Sequence, residues 1–414
     1  MALEKSHISF LDITSSRAFR RMKGKTQLFS PTNNDHYRNR LTHTLEVASV
    51  AEEISHQLLA REKHLEIDQE LVLKIALCHD LGHTPFGHVG ERTLHSILSG
   101  KDRLGGLLPD FIGCDVEQGF KHNVFSGKIL LRDFGLADLK EDSLLDGVIK
   151  HTKPFYANEE KLDYGTSRIV SSFPKLKAIE GYAYNKDPIS IEGKIVKMAD
   201  EIAQRGSDFG DSILSKILLV SDCKLLRESF FDCGLSDPQK VEEKIRSSLI
   251  GGVVYSEIDK SVAFTEAAKN ANSGLDNFIC EKIRNSYLIR SEDCKHEHII
   301  RQVFKAFYVH PSQLDDQTLR RIYSDVSRND GGVFSNKFLK NFSTFVFDKD
   351  ETLTPIRIAT FSADISKKIS TNTLDREEKV YLKIFLSNIA FYIASMTDEF
   401  ITKKYMKLYN GDPE

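Results

Sequence analysis

The chain has 414 residues, 40% of them apolar, enough for one large globular domain or two ordinary ones. Its 57 basic and 60 acidic residues are mixed throughout and leave a formal charge of −3, so no overall basicity argues for nucleic acid and any polyanion site must be local. Six scattered cysteines with no CxxC or CxxxC pair fit a reducing cytoplasm, and no uncharged apolar run approaches the ~18 residues of a membrane span, so a soluble, cytoplasmic protein with no membrane partner is expected.

The N-terminal segment carries Arg17, Arg20, Arg21, Lys23 and Lys25 between apolar anchors. Such a run is either a solvated helix face or a phosphate-facing surface, since Arg and Lys donate charge-assisted hydrogen bonds to phosphoryl oxygens. Ser30 to His36 reads as a turn-rich loop, and a helix follows from Leu41 to Leu59. His43 lies in its apolar stripe, with Val47, Val50 and Ile54 at i+4, i+7 and i+11. A second helix, about Gln69 to Asp80, repeats the arrangement, with Val72, Ile75 and Ala76 preceding His79 at i−7, i−4 and i−3. Two inward histidines on successive helices, one with an adjacent aspartate, point to a metal.

Leu81-Gly82 stops that helix, and Thr84-Pro85 reads as the N-cap and first position of the next. His88 and Glu91 then fall one turn apart on one face, where a carboxylate can fix the imidazole tautomer and leave the other nitrogen for proton transfer. Residues 99 to 120 read as a loop-rich insertion, and Phe120 to Asn123 opens a further helix in which His122 is either phosphate-facing or solvent-exposed. His151 followed by Pro154 marks a helix end, and residues 180 to 190 read as turn. From Ile191 to Gln204 the period is helical again, with Val196 and Ala203 at i−4 and i+3 turning Asp200 toward the apolar side. A buried carboxylate needs a cation, a metal or a proton. His43, His79, Asp80 and Asp200 thus supply two nitrogens and two oxygens from three inward helical faces, which suits a divalent metal with positions left for water and substrate. Mg²⁺ or Mn²⁺ is the first expectation, with Fe²⁺, Co²⁺ and Zn²⁺ as the other candidates.

Histidine, then His-Asp, then a distant aspartate on separate helices resembles the HD-domain metallophosphohydrolases. The blocks Lys25 to Phe29, Arg38 to Val47, His79 to Glu91, Ala199 to Ala203 and Tyr392 to Asp398 resemble those of the dGTP triphosphohydrolases in particular. The resemblance implies hydrolysis of a deoxynucleoside triphosphate at the α-phosphorus, giving deoxynucleoside and inorganic triphosphate. Carried over by position, it makes His43, His79, Asp80 and Asp200 the metal ligands and His88 with Glu91 the catalytic pair. It also places Arg40 and His122 near the phosphates, and Gln27 and Asp208 near the sugar. It implies a homo-oligomer; a second, activating nucleotide and single-stranded DNA stand as further candidate partners beside the dNTP substrate. Three positions depart from the family's usual residues: Gln204 for tyrosine, Phe391 for aspartate and Glu399 for arginine.

The expected fold is all-α: an HD-domain catalytic core over residues 1–210 and a mainly helical region over 211–414, with minor short strands, that completes the nucleotide pocket and oligomer contacts. Val241 to Ile250 and Glu378 to Phe400 show the clearest helical period, Gly331 to Phe347 is expected to contain a strand or two, and His296 with His298 reads as a solvated loop. Other readings are a different HD phosphohydrolase, such as a 5′-nucleotidase or an alarmone hydrolase, and a nucleotide-sensing or DNA-binding protein with a vestigial site. The alarmone reading expects an acidic pair soon after His-Asp where this chain has His83-Thr84, and Gly181-Tyr182-Ala183 lacks the proline of the cyclic-dinucleotide enzymes.

Overall fold

A computed structural model describes residues 7–29, 36–112, 119–139, 141–152, 187–219, 238–328, 332–348, 352–369 and 373–409. In chain order the helices are α1 (Phe10–Ser15), α2 (Arg17–Arg21), α3 (Arg40–Arg61), α4 (Gln69–Cys78), α5 (Gly87–Leu98), α6 (His122–Asp133), α7 (Leu136–Leu139), α8 (Asp142–Lys150), α9 (Ile191–Leu214) and α10 (Pro238–Gly251). The hairpin β1 (Val253–Ser256) and β2 (Ser261–Phe264) comes next. The chain then returns to helix as α11 (Glu266–Ile279), α12 (Tyr287–Val309), α13 (Asp316–Arg328), α14 (Asn336–Val346), α15 (Pro355–Lys367), α16 (Arg376–Ala394) and α17 (Asp398–Tyr409). The fold is all-α, and the antiparallel β1–β2 ribbon, with Val253 opposite Phe264, is the one sheet among the described residues.

The chain forms two compact units, each discontinuous in sequence: residues 1–87 with 121–295, and residues 88–120 with 296–414. In the first, α9 is the central helix and packs against α3, α4, α8 and α10. Local sequence specifies the starts of these helices. Asn39 accepts from the Thr42 amide while the Thr42 hydroxyl accepts from Asn39 N–H, a reciprocal cap, and the side chains of Asp68 and Ser190 cap α4 and α9. The residues expected to face inward do so: Val47, Val50 and Ile54 on α3, Val72, Ile75 and Ala76 on α4, and Val196 and Ala203 on α9 are all buried, with Ile195 and Ala199 buried beside them.

In the second unit, α13 packs on α15 and α16, and α14 packs on α15. Phe342, Phe361 and Tyr381 form its aromatic centre, with ring centroids 4.9 to 5.5 Å apart, and the Tyr381 hydroxyl lies 2.8 Å from that of Ser362. No single helix among the described residues is long and apolar enough to cross a membrane.

Several sequence expectations are corrected. The helix expected to start at Thr84-Pro85 starts at Gly87, because Phe86 and Gly87 take positive φ (58° and 63°) and the Thr84 hydroxyl donates to the Gly87 carbonyl instead of capping an amide. The strands expected before Phe347 are replaced by α14: Phe338, Phe342 and Val346 recur every four residues, and the helix sets Phe342 on Phe361 and Tyr381. The helix expected over 378–400 breaks between Ala394 and Asp398, where the Thr397 hydroxyl accepts the Phe400 amide and the axis bends by 117°. His296 and His298 lie within α12 rather than in a loop, since Ile299, Ile300 and Val303 bury one side of that helix. Most of the predicted loop at 30–36, part of the 99–120 insertion, Pro154, the Gly181-Tyr182-Ala183 stretch and most of the turn at 180–190 lie outside the described residues.

Candidate metal centre

Three helices of the first unit deliver the predicted ligands to one buried place. His43 comes from the first turn of α3, His79 is the C-cap of α4 with Asp80 in the turn beyond it, and Asp200 lies mid-way along α9. His43 Nε2 is 3.0 Å from Asp200 Oδ1, and His79 Nε2 is 3.7 Å from Asp80 Oδ2 and 3.8 Å from Asp200 Oδ1. His43, His79 and Asp80 are buried, while the Asp200 side chain keeps 23% of its surface exposed.

His79 Nδ1 donates to the Ala76 carbonyl at 2.6 Å, which leaves the lone pair on Nε2, and this buried nitrogen has no hydrogen-bond partner. An orphaned acceptor facing two carboxylates is costly without a cation. Donors around one ion with bonds of about 2.0–2.1 Å stand roughly 3 to 4 Å apart, so these residues fit a divalent metal. Electrostatics agree. Burial raises the Asp80 carboxyl, but His79, Arg40, His83 and His122 outweigh it and hold Asp80 well below the usual range. Burial likewise opposes ionisation of Asp200, and the His43 hydrogen bond with the nearby His79, His43 and His151 rings keeps it low.

The other predicted residues distribute unevenly. Arg40 donates from Nη1 to Asp80 Oδ2 at 2.7 Å and from Nε to the Thr26 carbonyl at 3.2 Å, and its Nη2 is buried without a hydrogen-bond partner. Gln27 is buried on the adjacent segment with Oε1 also lacking a partner. His122, the first residue of α6, places Nε2 3.6 Å from Asp80 Oδ1. Asp208 lies two turns beyond Asp200 on α9, and its carboxylate takes an ion pair from Arg284 at 3.0 Å. His88 and Glu91 belong to the second unit, where α5 sets His88 Nδ1 3.9 Å from Glu91 Oε2, an ion-pair distance rather than a hydrogen bond; His88 is half exposed and Glu91 buried. Of the positions departing from the family, Glu399 pairs with Lys403 on an exposed face of α17.

Three residues of the cluster were not singled out by sequence. His151, the C-cap of α8, has its ring 5.0 Å from that of His79 and its Nε2 3.3 Å from His122 Nε2. Burial, then the neighbouring His79 and His122 rings, pushes His151 down to about 3, so it is neutral at ordinary pH. The His83 ring lies 4.5 Å from that of His122, and Lys25, fully buried, donates to the His83 carbonyl. His151 did carry a signal: Leu144 and Val148 precede it at i−7 and i−3, the spacing that marked His79.

Residues 40–205 match the family model of the HD domain, and this match, with the histidine-aspartate cluster able to hold a metal ion, supports a metal-dependent phosphohydrolase. Its curated relatives are more particular. The chain is 27% identical over 338 residues to a deoxyguanosinetriphosphate triphosphohydrolase-like protein of Geobacter metallireducens, covering 72% of this chain and 75% of the relative. A protein of the same description from Neorickettsia sennetsu is 26% identical over 383 residues, 81% of this chain and 90% of the relative. Another, from Rhizobium leguminosarum, is 35% identical over 233 residues, 54% and 49% of the two chains.

Proposed function

We propose that the protein hydrolyses deoxynucleoside triphosphates at the α-phosphorus, releasing deoxynucleoside and inorganic triphosphate. The observation that supports this most is the buried Arg40–Asp80 pair beside the orphaned His79 Nε2, which joins a cation-binding pole to an unsatisfied guanidinium donor suited to a phosphoryl oxygen. His43, His79, Asp80 and Asp200 hold the metal, which when bound supplies Lewis-acid stabilisation of charge on the phosphoryl oxygens. The nitrogen-rich surroundings favour a transition metal such as Mn²⁺ or Fe²⁺ over Mg²⁺.

The chain's own groups do the rest. Water attacks the α-phosphorus, the bond to the 5′-oxygen breaks, and that oxygen gains a proton, so the products are neutral at the nucleoside and anionic at the triphosphate. Arg40 binds a phosphoryl oxygen through Nη2, and His122 lies within reach of Asp80 to contact the phosphates. Gln27, with its buried unpaired Oε1, and Asp208 read the sugar. His88, one turn from Glu91 on α5, handles the proton. The assignment of His88, Glu91, Gln27 and Asp208 rests on their positions in the sequence blocks. The same reading makes the protein a cytoplasmic homo-oligomer with a second, activating nucleotide, and single-stranded DNA as a further partner.

The test is a hydrolysis panel with each dNTP alone and in mixtures, in the presence of Mn²⁺. Deoxynucleoside and triphosphate as products support the proposal, and stimulation confined to mixtures supports the activating nucleotide. Release of a monophosphate, or no turnover of any dNTP, contradicts it.

A further inference from the structure

Along the interface of α9 and α11 the side chains alternate in charge, and Asp208 ends the row. Glu201, Arg205 and Asp208 follow one another at i+4 and i+3 on α9, so they share the face that α11 meets. Opposite them Asn272 donates to Glu201 at 2.8 Å and Asp276 pairs with Arg205 at 3.1 Å. Arg284 then pairs with Asp208 at 3.0 Å and reaches Asp276 at 3.5 Å. The row begins beside Asp200 and ends on the carboxylate proposed to face the sugar.

An uninterrupted α-helix would not deliver Arg284 to this face. Asp276 and Arg284 are eight residues apart, which in an α-helix turns the second side chain about 80° away from the first. Instead α11 ends at Ile279 and the chain runs on through a π-helical turn, Cys280–Arg284, closed by a bond from the Asn285 amide to the Cys280 carbonyl at 3.1 Å. This wider turn brings Arg284 back over Asp276. Such turns are rare and concentrate at functional sites.

The pairing makes the two oxygens of Asp208 unequal. Oδ2 accepts from Arg284 Nη2, while Oδ1 takes no hydrogen bond among the described residues. Asp208 is buried, and Arg284 keeps 33% of its side-chain surface exposed. A buried carboxylate needs a compensating partner, and a charge-assisted bond to one of its oxygens fixes the direction of the other.

We infer that Arg284 is a positioning residue that sets substrate specificity: it orients Asp208 so that Oδ1 accepts a hydrogen bond from the sugar of the nucleotide. This rests on the proposed reaction and on Asp208 facing the sugar. A deoxyribose esterified at its 5′-oxygen keeps one hydroxyl, at 3′, so that hydroxyl is the donor. A site built to bond a hydroxyl rejects the analogue lacking it, because the protein acceptor is then left unpaired. Arg284 acts through Asp208 on binding, so its loss should appear in KM and in the choice between sugars.

The experiment compares dGTP with its 2′,3′-dideoxy analogue on the full-length chain, by steady-state kinetics with Mn²⁺ and by titration calorimetry without added metal. The parent is expected to prefer dGTP. Arg284→Ala and Arg284→Gln are expected to lose about tenfold of that preference, carried by KM, the net worth of one hydrogen bond. A parental preference in a folded variant, or a fall in kcat with the preference kept, overturns the role of Arg284 and leaves the proposed reaction standing. A parent that handles both nucleotides equally, or binds and hydrolyses neither, overturns the role as well. A binding preference that Arg284→Ala erases, on a protein that turns over no dNTP, upholds the role and contradicts the reaction. Should circular dichroism show that Arg284→Ala does not fold, Arg284→Gln, which keeps an uncharged donor, decides the matter.

Discussion

Arg40 and Asp80 form an ion pair at 2.7 Å in which both side chains are almost wholly buried. The pair links the carboxylate proposed to bind the metal to the first residue of α3, three positions before His43, so the residues proposed to hold the cation and the phosphate orient one another. Removing one member of such a pair leaves the other charge buried and uncompensated, which costs about 3–5 kcal/mol. Arg40→Ala is therefore expected to lower the stability of the metal-free protein by that amount and to reduce kcat about 10²–10³-fold by loss of a phosphoryl-oxygen donor. Denaturant melts and steady-state kinetics check both. An unchanged kcat removes Arg40 from the reaction.

His88 makes a different prediction, because it is half exposed and stands outside the four residues proposed to hold the metal. His88→Ala should reduce turnover by about 10²–10⁴-fold, the usual worth of a positioned acid–base group, while the metal content per chain stays at the parental value. Metal analysis alongside the rate measurement separates the two. Near-normal turnover would dismiss His88 as the proton-handling group.

Gly82 is a steric prediction. With a Cβ at that position only 2.3 Å from the Ser126 nitrogen, Gly82→Ala forces the His79–His83 turn away from α6. Overpacking against backbone costs about 1–3 kcal/mol, and here it also displaces ligands, so both melting temperature and metal affinity should fall. A variant with parental values of both would show that the close approach is dispensable.

Acidity gives a fourth test, remote from the metal. Asp211 near the end of α9 accepts from Arg38 at both its backbone and its guanidinium, yet burial dominates and, with Asp208 nearby, pushes its carboxyl up to about 6. An unfolded aspartate titrates near ~3.9, so between ~4 and ~6 the folded state holds the extra proton and stability falls as pH rises through that window. Replacing Asp211 with asparagine should remove this part of the slope. Parallel stability–pH curves for the two proteins would contradict the prediction.

How much of this was legible in the sequence depends on the range of the interaction. His43, His79 and Asp200 were found because each sits at helical spacing among apolar residues that the fold buries. His151 obeys the same rule beside Leu144 and Val148, so periodicity marks it as inward too. Thr84-Pro85 misled because a good cap sequence yielded to two positive φ angles at Phe86 and Gly87, which are set by the packing of the turn and not by local preference. The region before Phe347 is rich in β-prone residues, but contacts of Phe342 with Phe361 and Tyr381 decided for helix. The pairing of Asp208 with Arg284 spans 76 residues and leaves no local trace.

The central claim is that the bond from the 5′-oxygen to the α-phosphorus is cut and the triphosphate leaves whole, and phosphorus NMR of the protein incubated with dGTP and Mn²⁺ reads it directly. The signals of inorganic triphosphate are expected to grow in step with deoxyguanosine measured by chromatography. Pyrophosphate with dGMP, orthophosphate with dGDP, or a spectrum of intact dGTP would contradict it.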